Sequence, residues 1–355
     1  MCQGGRRRER HNDGSRPPCS RLDLAKNVFQ AHGVGAGGEV VFRRKLRRSE
    51  VLEFFRQLVP CRIGMEACAS AHHWARELGA LGHTVRLMPA TYVKPYVKRG
   101  KSDAIDAEAI CEAVTRPTMR FVQVKSAEQQ SIVMLHRTRD LLVRQRTMLA
   151  NALRGHLAEF GIVAAKGIWR LPELLAMASS APVSQLPDLA RECIELIVAQ
   201  AEDLQRRIGM VERSILAWHK QSQASQRLET TPGIGFITAT AIAAFVPDAT
   251  IFKSGRQFAA WIGLTPRLSG TGGKVQLGRI SKAGDRNLRR LLVLGGTSLV
   301  RYARRKPHNY AWIDALLARR PARVATVAVA NKLARIAWAV LSHSEDYRHP
   351  QASAA

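Results

Sequence analysis

Four carboxylates lie where a folded chain could bring them to one place. Asp23 stands in the segment RLDLAK, Glu66 in IGMEAC, and both Asp103 and Asp106 in KSDAIDAEA. Asp103 and Asp106 are three residues apart, so on a helix they share one face. Carboxylate oxygens are the hard ligands that Mg²⁺ prefers, and two such ions can stabilise the attacking and leaving oxygens of a phosphoryl transfer. The set therefore predicts a Mg²⁺-dependent phosphoryl-transfer site.

Each acid taken alone also has a structural explanation. Asp103 can be a helix N-cap, and Asp106 would then be favoured in the first turn by the helix dipole. Glu66 can be a solvated residue at the end of a strand. The catalytic interpretation depends on all four acids falling where one fold would need them, in a chain whose formal net charge is +27.

A glycine-rich segment, residues 266–274, carries a second candidate, Ser269. It is not a nucleotide-binding P-loop, because Leu268 replaces the first glycine and Val275 follows Lys274. A serine hydroxyl can form a covalent phosphoester, and nearby cations can stabilise its oxyanions, although most loop serines do no chemistry. The neighbouring cations, which we expect to bind nucleic acid, are Arg267, Lys274, Arg279, Lys282, Arg286 and Arg289.

The segment TPGIG, followed by an apolar stretch, resembles half of a helix-hairpin-helix. In that motif the amides of Gly233 and Gly235 and the helix N-terminus would contact a DNA phosphate without reading its sequence. The alternative is an ordinary glycine turn between two helices.

The elements that must position these residues follow from hydrophobic periodicity. Strands, short helices and the turn GAGG alternate up to about residue 115, which predicts an α/β domain. Two long amphipathic helices then follow, with leucines near heptad spacing. They indicate an antiparallel pair or coiled coil, or equally an ordinary helical spacer. The predicted strands are 28–34, 39–46, 62–67 and 84–88, and the predicted helices are 70–81 (capped by Ser70), 103–115, 127–160 and 187–220.

These elements divide the chain into five parts. We predict a disordered basic leader, an α/β domain, a helical coiled-coil linker, a mostly helical C-terminal domain and a polar tail. Their predicted boundaries are 1–20, 21–120, 121–225, 226–342 and 343–355.

The charge balance points to a polyanionic partner. With a sequence pI near 11.0, nucleic acid is the first candidate and an anionic membrane surface the second. No segment is predicted to span a bilayer, because the best stretch, residues 324–341, is interrupted by Lys332 and Arg335. The six scattered cysteines form no zinc pattern, which favours reduced thiols in a cytoplasmic, nucleoid-associated protein without a membrane partner.

From Asp23 to about Leu341 the ordered motifs LDLAKNVFQAHG, GMEAC, KSDAIDAEAI, PGIG and LTPRLSGTGGKVQLGRISKAGDRNLRR resemble the DEDD-class insertion-sequence transposases. The resemblance implies an RNase H-like domain of the Holliday-junction-resolvase type, whose four acids bind Mg²⁺. It implies a serine nucleophile that bonds covalently to DNA. Ser269 is the best match, and Ser281 is a weaker competitor. It also implies homo-oligomers, dimers or higher, that are guided by a structured RNA.

One departure from the family pattern is the stretch SRPPCSRL before Asp23, where an apolar strand is expected. A shifted reading frame or wrong start would explain it and would leave the first strand truncated. Two alternative functions therefore remain beside the transposase. One is a metal-dependent nuclease of the Holliday-junction type that needs no Ser269, and the other is a nucleic-acid-binding remnant without catalysis.

Overall fold

The structure is a computed structural model of the 355-residue chain. It describes residues 19–24, 26–35, 37, 39–89, 114, 119–271, 274–306 and 310–348. The chain divides into two compact units, Met1–Ser126 and Ala127–Ala355. Asp103 and Asp106, and the helix predicted over 103–115, lie outside the described residues apart from Val114.

The first unit is built on one five-stranded mixed sheet. Its elements are β1 (Cys19–Asp23), β2 (Val28–Val34), β3 (Val40–Arg47), α1 (Val51–Arg56), β4 (Arg62–Glu66), α2 (Ala71–Ala80) and β5 (Thr84–Met88). The strand order is β3-β2-β1-β4-β5. β1 to β3 pair antiparallel, whereas β4 runs parallel to both β1 and β5. A mixed sheet of this kind is consistent with the RNase H-like domain that the resemblance implies.

β1 is a central strand that is buried on both faces. Leu22 belongs to a core cluster with Phe29 and Ile63, on the face that α1 and α2 cover. Cys19 belongs to a second cluster with Met88. The strand therefore begins inside the stretch predicted as a disordered leader, because Cys19 and the next residue have partners in both β2 and β4.

Helix α2 begins where the sequence predicted, with Ser70 at the N-cap position, but the Ser70 side chain does not cap it. Ser70 has a left-handed backbone, with φ 71°, and its side chain makes no capping hydrogen bond. The helix is instead held by burial of its apolar face. The ring of Trp74 packs edge-on against that of Phe29, with centroids 5.1 Å apart.

The second unit is helical except for one two-stranded ribbon. Its elements are α3 (Ala127–Glu159), α4 (Leu171–Ala178), α5 (Ala181–Ser184), α6 (Asp188–Gln221), α7 (Gln223–Glu229), α8 (Phe236–Phe245), α9 (Gly255–Ile262), β6 (Pro266–Thr271), β7 (Lys274–Ile280), α10 (Arg286–Arg305), α11 (Ala311–Leu317) and α12 (Ala322–His343), with 3-10 turns at Ile168–Arg170 and Ala249–Ile251.

The two long helices α3 and α6 form an antiparallel pair, as predicted. Arg139 of α3 contacts Glu212 of α6 at 2.7 Å, and Arg146 donates to Gln205 at 2.6 Å. As the residue number rises on one helix it falls on the other. The buried apolar residues of α6 follow a seven-residue repeat, the spacing of coiled-coil seams. They are Ile194, Ala201, Ile208 and Ile215.

Helices α7 to α12 enclose the largest hydrophobic core among the described residues, through which α8 and α12 run. By length and composition α12 could cross a membrane, contrary to the expectation that no segment is apolar enough. Its residues Ala325, Val329, Leu333 and Ala337 are buried in this core. Burial in this core therefore explains why one side of α12 is apolar.

The glycine-rich segment 266–274, predicted to be a loop, is mostly strand. Ser269 of β6 lies opposite Gln276 of β7 in an antiparallel register. Sequence reasoning missed the ribbon because its glycines favour turns, whereas strand pairing depends on a partner segment.

The turn between α7 and α8 packs tightly on α10. Gly233 has a left-handed φ of 87°. A Cβ on Gly295 of α10 would lie 2.1 Å from the carbonyl oxygen of Gly233. Only a residue without a side chain allows the two backbones to come this close.

We expect Gly295→Ala to lower the free energy of unfolding by about 1–3 kcal/mol, because its methyl group would overlap a backbone carbonyl. Urea denaturation followed by circular dichroism measures the change. Gly209→Ala in α6 is the matched control, since its Cβ would meet only Nη1 of Arg213, at 3.6 Å. There alanine should stabilise the helix slightly. Equal stability of the two variants would contradict the close contact.

Candidate active site

Asp23 and Glu66 end two neighbouring parallel strands. Arg21 of β1 lies opposite Gly64 of β4, and continuing this register by two residues places Asp23 beside Glu66. Adjacent strands are about 4.8 Å apart, and residues in register in parallel strands point to the same face. The sheet therefore brings two of the four predicted acids together at its carboxyl edge, and both are partly exposed to solvent.

The thiol of Cys68, just beyond β4, is close enough to both carboxylates for their charges to change its pKa. Cys68 is solvent-accessible, yet partial desolvation raises the pKa of its thiol, and the negative charges of Glu66 and Asp23 raise the pKa further. Both acids therefore act on one point at the edge of the sheet. Sequence reasoning did not single out Cys68.

A buried cation lies directly beside Asp23. Nη2 of Arg21 is 3.4 Å from a carboxylate oxygen of Asp23, and the Arg21 side chain is only 4% exposed. The arginine that departs from the family pattern is thus part of the site. It orients the Asp23 carboxylate and offsets part of its charge.

The two strand-end acids fit half of a divalent-metal site. Their oxygens are suitable ligands, and their position at a solvent-accessible edge leaves room for a hydrated ion. Among the residues that the structure describes, no three metal-ligating side chains converge. The other two predicted ligands, Asp103 and Asp106, lie outside that part of the chain.

Ser269 lies on the exposed ribbon in the second unit. Its side chain is exposed, and its hydroxyl makes no hydrogen bond with any residue in the described part of the chain. The competing Ser281 is partly buried, and its hydroxyl accepts the backbone N–H of Ala283 at 3.4 Å. Ser269 is therefore the more accessible of the two candidate nucleophiles.

The ribbon has two different faces. Ser269 and Gln276 share one face, and alternation along each strand places Arg267 and Lys274 on the same side. Nη2 of Arg267 also donates to the Ser281 carbonyl at 3.1 Å. Arg279, in contrast, lines a groove on the other side of the ribbon. The predicted cation cluster is therefore divided between two surfaces.

Arg289, which was predicted to bind nucleic acid, stabilises the turn between the ribbon and α10. Nη1 of Arg289 donates to the carbonyls of Ile262, at 2.8 Å, and Ala283, at 2.7 Å. Desolvation lowers the pKa of this guanidinium. The primary contacts of Arg289 are thus structural, unlike those of Lys282 and Arg286, which are exposed.

The two predicted hairpin glycines differ in their surroundings. Gly233 is fixed by its packing on α10. Gly235 is the exposed N-cap of α8, and a Cβ there would meet nothing within 4 Å. The N-terminus of α8 is thus open at Gly235 to a ligand that approaches the backbone.

A third serine, Ser225, belongs to a hydrogen-bonded network of triad-like composition. Nδ1 of His219 lies 2.8 Å from the Ser225 hydroxyl, and its Nε2 lies 2.8 Å from Glu229. Ser225 is fully buried and His219 nearly so. No phosphate can reach that hydroxyl, so these hydrogen bonds serve to join α6 to α7.

A sheet that brings carboxylates to its edge, in a chain this basic, has the architecture of an enzyme that cuts and joins DNA strands. Residues 22–162 match the family model of the DEDD transposases of IS110 elements. Residues 225–311 match the model described as "Transposase IS116/IS110/IS902 family". Together with the relatives below, these matches show that the chain belongs to the IS110/IS116/IS902 family of insertion-sequence transposases.

Relatives align along nearly the whole chain. A "Probable family 20 transposase" of Pseudomonas aeruginosa is 51% identical over 329 residues, 92% of this chain and 97% of its own. A Sinorhizobium fredii protein described as a transposase is 47% identical, over 94% of this chain and 86% of its own. The transposase for insertion sequence element IS1111A of Coxiella burnetii is 38% identical, over 92% and 90%.

We expect Glu66→Gln to speed the alkylation of Cys68 by iodoacetamide near neutral pH. Removing the carboxylate charge lowers the pKa of the thiol, so more of it is the reactive thiolate. Peptide mass spectrometry measures the rate at this cysteine. Glu53→Gln, on the exposed surface of α1, is the control and should leave the rate unchanged. Equal rates in all three proteins would show that Glu66 does not act on the thiol.

Proposed function

We propose that this transposase moves its element by Mg²⁺-dependent cleavage and transfer of DNA strands, with Ser269 as the covalent nucleophile. The observation that carries the proposal is the setting of Ser269, exposed on a basic ribbon with a hydroxyl that no described residue engages. Ser281, the other candidate, has its hydroxyl engaged in a turn.

In the proposed step the Ser269 oxygen gives up its proton and bonds to a DNA phosphorus. The deoxyribose oxygen leaves and takes up a proton, so a phosphoserine ester replaces one DNA phosphodiester. Arg267 and Lys274, on the same face, would stabilise the negative oxygens on phosphorus. Lys282, Arg286 and the open end of α8 at Gly235 would hold neighbouring phosphates.

The acids of the first unit would hold the metal. Asp23 and Glu66 are the pair that the sheet brings together, and Asp103 and Asp106 would complete the set. Bound Mg²⁺ supplies positive charge that stabilises phosphate oxygens during transfer. Arg21 would keep the Asp23 carboxylate in position.

We further propose that the chain acts as a homo-oligomer guided by a structured RNA, as the family resemblance implies. The RNA proposal is supported by the resemblance together with the net charge of +27. The oligomer proposal is supported by an apolar stripe at heptad spacing on the outer side of each long helix. The residues, all at least 47% exposed, are Met134, Leu141 and Met148 on α3 and Leu189, Leu196 and Met210 on α6, where Asp203 stands at the heptad position between Leu196 and Met210.

Such stripes can form a coiled-coil seam with a second copy of the chain. Replacing both Leu141 and Met148 with Glu should therefore lower the mass that light scattering measures in solution, because the seam would bury charge. The control replaces both Thr147 and Asn151 with Glu. These exposed positions lie about 80–120° around the helix from the centre of the stripe. A mass lowered equally in both variants would contradict a seam at the stripe.

Ser269→Ala should abolish a denaturant-resistant protein–DNA adduct, because it removes the oxygen that would bond to phosphorus. The assay incubates full-length protein with Mg²⁺, labelled element-end DNA and RNA from the flanking region. Ser281→Ala, as the control, should retain the adduct. Asp106→Ala should abolish it by weakening the metal site.

Three outcomes would overturn parts of this proposal. An adduct that survives Ser269→Ala but not Ser281→Ala would identify Ser281 as the nucleophile. Cleavage without any adduct favours the metal-dependent nuclease. Binding with neither cleavage nor adduct favours a nucleic-acid-binding remnant.

A further inference from the structure

A large open groove, of about 1580 Å³, runs along the side of the ribbon that faces away from Ser269. Its walls are β7, the start of α9, and α11, and its floor is the outer side of α12. Pro266, Leu277 and Ile280 line it, and Leu277 is paired with Leu268 on the face opposite to Ser269. The ribbon therefore separates this groove from the proposed nucleophile.

Much of the floor of the groove is apolar although it faces solvent. It includes Val324, Val327, Ala328 and Ile336, and Val324 is 51% exposed. These residues explain why α12 is apolar on both sides, since its opposite side lies in the core. The α12 lining from Val324 to Ala339 is about 22 Å long at 1.5 Å per residue, long enough for several nucleotides. Its two ends are apolar, and Asn331, Lys332 and Arg335 lie between them. Exposed apolar surface next to cations favours a bound partner.

The rim of the groove is strongly basic. No carboxylate lines it in the part of the chain that the structure describes, and its five cations are all exposed. Within the same described residues none of the five forms an ion pair. They are Arg256, Arg279, Arg323, Lys332 and Arg335.

Two tryptophans line the groove, Trp312 and Trp338, and Trp312 is the exposed one. Trp312 of α11 is 41% exposed, and Nζ of Lys332 stands 4.2 Å from the centre of its ring. A partly exposed indole offers a flat surface on which a nucleic-acid base can stack.

We propose that this groove binds one unpaired DNA strand, with its phosphates on the basic rim and its bases on Trp312 and the apolar floor. Cations combined with stacking and apolar surface are what unpaired strands need. A duplex keeps its bases inside and would leave the floor uncovered, and an acidic protein would offer nothing specific to the indole. The choice of DNA over RNA rests on the proposed function, which assigns DNA to the other face of the same ribbon.

The groove would then hold a strand apart from the one that Ser269 attacks. Strand transfer needs two DNA segments close to one nucleophile, and a thin ribbon with a nucleic-acid surface on each side provides that separation.

Binding of a fluorescent oligothymidylate, followed by anisotropy across a salt series, tests the proposal. The protein is full length, carries Ser269→Ala and is kept in EDTA, so that the covalent chemistry cannot affect the result. Arg323→Ala with Arg335→Ala should weaken binding about 25-fold at about 0.1 M salt and reduce the salt slope by about 1.4, as expected for two lost phosphate contacts.

The matched control is Arg301→Ala with Arg304→Ala, which removes two exposed arginines of α10 outside the groove. It should leave binding nearly unchanged. Trp312→Leu should weaken binding about tenfold and Trp312→Phe much less, because phenylalanine keeps a stacking surface. An oligonucleotide with 5-iododeoxyuridine should crosslink to the peptide that contains Trp312.

Equal losses in the two arginine pairs would reduce the groove to general charge attraction and overturn the proposal. Groove substitutions that weaken the binding of duplex DNA or of RNA more than that of the oligothymidylate would also overturn it. So would a groove variant that changes the oligomer mass and not strand binding, because a second copy would then occupy the groove. None of these results depends on whether Ser269 forms an adduct, so failure of the proposed function is read separately.

Discussion

Parallel pairing of β1 with β4 is the constraint on which the first unit depends. Parallel neighbours end at the same edge of a sheet, so the register that aligns Arg21 with Gly64 carries Asp23 to Glu66. An antiparallel neighbour would have placed the two acids at opposite edges. Because hydrogen bonds on both sides and two hydrophobic clusters fix β1, the position of Asp23 is set by the whole sheet.

The buried Arg21 illustrates how this constraint is used. A guanidinium is costly to bury, and the carboxylate of Asp23 at 3.4 Å offsets part of that desolvation. The same contact orients the carboxylate towards the edge of the sheet. The stretch before Asp23 departs from the apolar strand that the family pattern leads us to expect, yet Cys19–Asp23 form the central strand β1 with Arg21 in it.

In the second unit a tightly packed turn supports the exposed ribbon. Gly284 has φ 71°, and a Cβ there would lie 2.1 Å from the carbonyl oxygen of Trp261. Arg289 adds two hydrogen bonds at the same junction. The turn that follows the ribbon is therefore held closely against α9, while the ribbon itself extends into solvent with Ser269 on one face. A fixed base beneath an accessible side chain is what the proposed nucleophile requires.

By itself, the sequence determined the local elements and the family. The strands at 28–34 and 84–88 and both long helices were predicted to within about two residues, because periodicity and turn residues are local properties. The ordered motifs identified the transposase family, and they identified Asp23, Glu66 and Ser269 as candidates. Only the tertiary structure decided that residues 266–274 form a ribbon, that Arg289 bonds backbone carbonyls, and that one side of α12 floors a basic groove. Strand pairing, burial and hydrogen bonding depend on partners distant in the sequence, so a composition that favours turns, or a charge that favours phosphate, does not settle them.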